Sequence, residues 1–227
     1  MAAMKRRAIF LDRDGTLVHP VHYPSRPEQL HVYDNIGPLL QVLQERDFSL
    51  VVITNQAGIA HGYFSEADLW SMHEHICAQL ASWGITFDGM YYCPHHPEGV
   101  IPALAIHCEC RKPRPGMLRQ AAHEIGLDLR HSWFIGDILD DIEAGNRAGC
   151  STILVDLGTE QAPTPSIRVP TFVARDTGHA LQIIQTVTAL ESDTQLLYRP
   201  AAWFSTEKMA LTDQPIEPRT EINTCHK

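Results

Sequence analysis

The 227-residue chain has no apolar stretch approaching the roughly 20 residues of a membrane helix, so no bilayer span is expected. It is also short of cations. Lys and Arg total 18 against 27 Asp and Glu, a net charge of -9, whereas non-specific nucleic-acid binding needs many cations to neutralise phosphates. A disulfide framework is missing too: of six cysteines, Cys77, Cys150 and Cys225 are scattered without regular spacing. The basic start, residues 1–7, is followed by an apolar run of only residues 8–11 that Asp12 cuts short, too little for a signal-peptide core. There is no internal repeat and no low-complexity tract. The expectation is a reduced, cytoplasmic monomer with neither a membrane nor a nucleic-acid partner. A small anionic ligand remains compatible with the net charge if Arg13, Arg111, Lys112 and Arg114 make one cleft locally positive.

Length and a 44% hydrophobic content suit a single core-forming domain, expected over residues 1–190, followed by an extension over residues 191–227 that loses periodicity. Short apolar runs at 8–11, 49–53, 89–92, 133–135, 152–155 and 171–173 alternate with helical patterns at 35–46, 65–83, 115–125, 139–148 and 176–189. That rhythm predicts a three-layer, Rossmann-like α/β fold. Its doubly wound parallel sheet has strands buried on both faces and therefore reads as unbroken apolar runs. The Pro-rich stretch 161–170 reads as a loop. Trp70, His73 and Ile76 share helical spacing and read as a packing stripe. Cys150 reads as a small buried hydrophobe.

Two close pairs of metal-ligating residues interrupt this pattern, Cys93-Pro94-His95 and, beyond a twelve-residue spacer, Cys108-Glu109-Cys110, followed at once by Arg111-Lys112-Pro113. Three thiolates and an imidazole from His95, His96 or His107 are the donor types of a closed tetrahedral zinc site. Four protein ligands leave no position for a reactive water, so the expected zinc is structural. Its expected task is to fix the backbone that presents Arg111 and Lys112.

Polar residues directly after buried strands mark the ligand end of a doubly wound sheet. Here they are Asp12-Arg13-Asp14-Gly15-Thr16, Thr54-Asn55-Gln56, the metal loop leading to Lys112, and Gly136-Asp137 with Asp140 and Asp141. A single Asp in such a place is more often a turn or cap residue. Together the set fits phosphoryl transfer, where monoester hydrolysis calls for accelerations reaching roughly 10²¹ and electrostatic preorganisation is the main lever. Asp12 can attack phosphorus and form an aspartyl phosphate. Asp14 can protonate the leaving oxygen and then deprotonate water. Asp137 with Asp12 offers the oxygen donors that Mg²⁺ prefers. Thr54 and Lys112 can hold the transferring group.

The four segments in this order, opened by Phe10-Leu11-Asp12-Arg13-Asp14-Gly15-Thr16, resemble the four motifs of the haloacid dehalogenase superfamily over about residues 8–155. The resemblance implies a third Mg²⁺ contact from the Asp14 backbone carbonyl, an Asp141 that acts behind the metal, and His95 as the zinc-binding imidazole. Gaps after the first and second motifs are too short for a cap domain, so a capless, open site is expected, with the zinc loop of residues 93–110 as the substrate-recognition element.

Within the superfamily the chain is similar to two capless families, the D-glycero-D-manno-heptose 1,7-bisphosphate 7-phosphatases and the histidinol-phosphate phosphatase domains. The spacer before Cys108 and its flanking segments favour the first. By motif, the resemblance implies substrate contacts from Asn55, Gln56 and Arg111, with His22 and Tyr23 near the sugar. Two departures bear on the sugar: Ile138 stands where the heptose family carries a lysine, and the loop 17–23 matches loosely. The alternatives are a phosphatase for histidinol phosphate or another small molecule and, from another class, a catalytically silent zinc-stabilised binding module. The joint presence of Asp12, Asp14, Thr54, Lys112 and Asp137 speaks against the module.

Overall fold

The computed structural model describes residues 5–161, 163 and 166–194; the expected extension from residue 195 onward lies outside the described residues. In chain order the elements are β1 (Arg7–Leu11), α1 (Gly37–Glu45), β2 (Phe48–Asn55), α2 (Ala57–Ala60), α3 (Glu66–Leu80), β3 (Gly89–Cys93), α4 (Gly116–Ile125), β4 (Trp133–Gly136), α5 (Leu139–Ala148), β5 (Ser151–Val155), β6 (Phe172–Ala174) and α6 (Thr177–Thr194). The strands form one parallel sheet in the order β3-β2-β1-β4-β5-β6. The chain first winds outward from β1 to β3, then returns beside β1 with β4. The direction of winding therefore reverses between β1 and β4, which is where open α/β sheets place their ligands.

Alternation along the buried strands builds two cores. Ile9, Leu11, Leu50, Val52 and Ile135 face α1, α3 and α6 through Leu40, Leu43, Leu69, Met72, Ile76, Leu181 and Ile184. Ala8, Phe10, Val51, Ile53 and Phe134 face the other way, against Met117, Leu118 and Ala121 of α4 and Ala144 of α5. Burying each large side chain contributes about 1.5–3 kcal/mol, which makes the sheet the rigid floor on which loops are mounted. Ser65 and Asp68 form a reciprocal capping box that starts α3. Gly126 and Gly149 end α4 and α5 in the left-handed conformation.

The expected α/β layers are present, and no cap domain is inserted among the described residues. Between β1 and α1 there is only loop and one short turn, Pro27–Gln29, and from β3 to α4 the chain is loop throughout. Most element ends shift by a few residues from expectation, among them β2, which spans Phe48–Asn55 rather than 49–53, and α3, which ends at Leu80 rather than residue 83. α1 begins at Gly37 rather than residue 35, α2 is an unexpected single turn, and α6 runs to Thr194 rather than residue 189. No helix among the described residues is long and apolar enough to cross a membrane.

Candidate active site

Asp12 follows β1, and its backbone N–H donates to the Ile135 carbonyl of β4 at 3.0 Å, which fixes it over the reversal point. The Lys112 ammonium reaches in from the loop before α4. It contacts Asp12 Oδ1 and Asp141 Oδ1, both at 2.6 Å, and donates to the Ile53 carbonyl at 3.1 Å. Only 2% of Lys112 is exposed. A buried ammonium is costly unless paired and hydrogen-bonded, and here it donates to Asp12 Oδ1 and the Ile53 carbonyl and is ion-paired with Asp141. Burial alone would lower its pKa, but Asp12 and Asp141 reverse that and hold it above the usual lysine range.

A third carboxylate joins them. Asp12, Asp137 and Asp141 each place a carboxylate oxygen within 4.8 Å of the others. Burial, then Asp12 and Asp141, push the Asp137 carboxyl up to about 8. Burial also raises Asp141 to about 7, against the opposing pull of Lys112 and with a further push from Asp12. Asp12 is raised by burial and by Asp14, against Lys112. Three carboxylates around one ammonium leave an excess of negative charge that a divalent cation with a preference for oxygen would neutralise, so the donor set fits Mg²⁺. Gly15 permits this close packing: its φ is +84°, and a Cβ there would lie 2.3 Å from Asp137 Oδ2.

Asp14 does not point into that cluster. The Arg13 guanidinium, 1% exposed, grips both Asp14 oxygens through Nε and Nη2 at 2.7–3.1 Å. Gln56 Nε2 donates to Asp14 Oδ2 at 3.2 Å and to Thr54 Oγ1 at 2.7 Å. Asn55 spans to the Lys112 backbone in both directions: its Nδ2 donates to the carbonyl at 3.2 Å, and its Oδ1 accepts from the N–H at 3.1 Å. Asn55 and Gln56, expected at the substrate, thus fasten β2 to the Lys112 loop and to Asp14. Arg13, expected as a cleft cation, is the buried partner of Asp14. A sequence gives no direct sign of this, because an Arg between two aspartates reads equally as a solvent-facing residue.

The second donor set closes around the loop after β3. Cys93, Cys108 and Cys110 have Sγ–Sγ separations of 3.5, 3.4 and 3.2 Å, and His95 Nδ1 lies 3.3 Å from Cys110 Sγ and 3.7 Å from Cys93 Sγ. A tetrahedral zinc with Zn–S of about 2.3 Å has ligand–ligand edges of about 3.5–3.8 Å, so the four atoms fit one ion. Contact with the Cys108 and Cys110 thiols, then burial, raises the Cys93 pKa far above the usual thiol range. Such crowding is relieved when a cation turns thiols into thiolates. His96 and His107 stand outside the set. The loop is fastened where the cations leave it: Arg111 Nη1 donates to the His95 carbonyl at 3.3 Å, and Arg114 Nη1 to the Cys108 carbonyl at 2.6 Å.

A cleft of about 250 Å³ opens beside Asp14, bounded by Arg13, His22, Tyr23, Gln56, Phe64 and Arg111. His22 and Tyr23, expected near a sugar, therefore share a cavity with Asp14. Missed from the sequence are the rings beyond them. His61 and Tyr63 stack on each other, and Tyr63 meets Tyr23 edge-on with centroids 4.9 Å apart. Their signal was present, two rings one residue apart in the loop after the second strand, but ring contacts between separate loops cannot be read from spacing.

A family model described as HAD-hydrolase-like matches residues 109–180. The chain is 41% identical over 152 residues to the D-glycero-beta-D-manno-heptose-1,7-bisphosphate 7-phosphatase of Yersinia pestis, covering 66% of this chain and 81% of that protein. It is 40% identical over 157 residues to the protein of the same name in Escherichia coli K12, covering 69% and 82%. Among solved structures, the D,D-heptose 1,7-bisphosphate phosphatase of B. bronchiseptica, complexed with magnesium and phosphate, superposes with a TM-score of 0.68 at 29% identity, covering 80% of this chain and 99% of that one.

Proposed function

Because this chain belongs to the haloacid-dehalogenase-like phosphatases, we propose that it hydrolyses the 7-phosphate of D-glycero-D-manno-heptose 1,7-bisphosphate through an aspartyl phosphate on Asp12. The observation that carries the reading is the buried Lys112 ammonium between Asp12 and Asp141, with Asp137 at the same point. Curated relatives at about 40% identity with this substrate in their names support the choice of sugar.

In this reading Asp12 attacks phosphorus while the sugar oxygen leaves with a proton from Asp14. Asp14 then takes a proton from water, which attacks the aspartyl phosphate, releases inorganic phosphate and restores Asp12. To serve both steps, Asp14 must give up part of its bidentate contact with Arg13 when substrate enters. Lys112 balances the charge on the transferring phosphoryl group, and Thr54, whose oxygen accepts from Gln56, keeps its hydroxyl proton to donate to it. Asp12, Asp137 and the Asp14 backbone carbonyl would hold Mg²⁺, which lets an anionic nucleophile approach an anionic ester. Asp141 keeps Lys112 in place. Cys93, His95, Cys108 and Cys110 would hold a structural zinc. The enzyme would work in a bacterial cytoplasm, where thiols stay reduced and available to the metal.

Phosphate release tests the reading. Magnesium-dependent turnover is expected for the parent and is expected to be lost in Asp12→Asn. Across heptose 1,7-bisphosphate, histidinol phosphate and common hexose phosphates, the first is expected to have the highest kcat/KM. Another best substrate would overturn the sugar, and turnover surviving in Asp12→Asn would overturn the mechanism.

A further inference from the structure

The rings beside the cleft come from three separate segments. His22 and Tyr23 lie on the loop after β1, His61 and Tyr63 follow α2, and His96 lies in the loop after β3. They nevertheless form one connected run. Tyr23 contacts Tyr63 at 4.9 Å and His61 at 6.0 Å between centroids, His61 stacks on Tyr63 at 5.5 Å, and His61 meets His96 at 4.9 Å. Tyr23 is also a wall of the cleft that contains Asp14, so the run begins inside the site and extends outward from it.

Three further features mark this as a built surface. Tyr23 holds a φ of +47°, a left-handed conformation unusual for a residue with a side chain and retained chiefly where a local geometry is required. Tyr63 leaves 57% of its surface in water although it is large and apolar. The turn that carries His61 is fastened to the metal loop: the Ala60 carbonyl accepts from the N–H groups of Val100 and Ile101 at 2.8 and 3.0 Å. Rigid rings with polar tips at the mouth of a charged cleft suit a ligand with an apolar face and a polar edge.

We propose that His61, Tyr63 and His96 continue the wall begun by Tyr23 as a specificity surface, against which the carbohydrate of the leaving group lays a C–H face. The inference rests on the sugar phosphatase reading and deepens it, assigning to these residues the discrimination between sugar esters and ringless ones. Such a wall acts on kcat/KM in proportion to what the leaving group offers it, because only a ligand with a face to stack gains from it.

The test compares heptose 1,7-bisphosphate with acetyl phosphate, which carries no ring, in the parent and in Tyr63→Leu, Tyr63→Phe and His61→Leu. In the two Leu variants the ratio of kcat/KM for the sugar ester over acetyl phosphate is expected to fall about tenfold, mainly through KM, while Tyr63→Phe, which keeps the face, holds the parental ratio. Circular dichroism and melting temperature separate this from misfolding, which lowers both substrates together. Equal losses on both substrates, an unchanged ratio, or a Phe variant as poor as Leu would each overturn the wall while leaving the substrate reading intact. A parent without preference for the sugar ester would sink the substrate reading, and the wall with it.

Discussion

His73 lies mostly buried on α3 beside Trp70 and Phe87, with Cys77 one turn further along and its Nδ1 without a hydrogen-bond partner. Burial, then the positive charge of Arg13, lowers its pKa from 6.5 to about 4. Between those values the unfolded chain binds a proton that the folded one refuses, so stability rises with pH through this window. It is fully present above pH 6.5 and is lost as pH falls toward 4. At about 1.4 kcal/mol per pH unit, and discounting for partial exposure, His73 accounts for at most about 3 kcal/mol. Urea melts at pH 7.0 and 4.5 are expected to differ less in His73→Met than in the parent, since the carboxylates common to both cancel. An equal difference would show that the ring protonates in place. The helical spacing of Trp70, His73 and Ile76 had indicated packing, and packing is what lowers this imidazole. Burial of Arg13 and its grip on Asp14 were not legible in the same way, because they depend on a loop turning inward between β1 and α1.

Elements were legible where burial imposes a pattern and obscure where it does not. β1 to β5 stand out because both faces are covered, so each reads as an apolar run, whereas β6 at the sheet edge leaves Phe172 and Val173 exposed. α2 has four residues, all buried, and so lacks the alternation that would identify a helix. The last turn of α6 carries Leu190 at 61% exposure and Glu191, so the apolar stripe ends before the helix does. The metal loop is the opposite case. Its ligand spacing was plain in the sequence, yet it has no regular secondary structure, so its shape depends on contacts at the ligands themselves. Zinc binding of this kind contributes on the order of 10–16 kcal/mol in small peptides, ample to order one loop. Cys108→Ser is therefore expected to lose most bound zinc and, because Lys112 follows Cys110 by two residues, to lower kcat/KM by about 10- to 100-fold. Zinc content by atomic absorption alongside kinetics checks this. Full occupancy, or lost zinc with parental kinetics, would show that the metal does not set the position of Arg111 and Lys112.

For the whole molecule the question is how a chain of net charge -9 attracts a ligand that is itself strongly anionic. The sheet gathers the ends of β1, β2, β3 and β4 at one edge, so cations distant in sequence act at one place. Arg13 is matched by Asp14, and Lys112 by Asp12 and Asp141. Among the described residues Arg111 pairs with no carboxylate; it donates to a carbonyl and lines the cleft. Screening acts over about 10 Å at 0.1 M salt and about 3 Å at 1 M, so the two fields respond differently. If the diffuse negative field governs approach, added salt helps an anionic substrate and KM falls. If the local field at the cleft governs, added salt weakens Arg111 and KM rises. An open, capless site brings substrate within a few ångströms of Arg111 while most surface carboxylates lie further away, so the local field is the stronger. KM for the bisphosphate is accordingly expected to rise several-fold between 0.1 and 1 M sodium chloride, and Arg111→Gln to raise KM at low salt and flatten that slope. A KM that falls with salt in the parent would show that the net charge of the body outweighs the cleft.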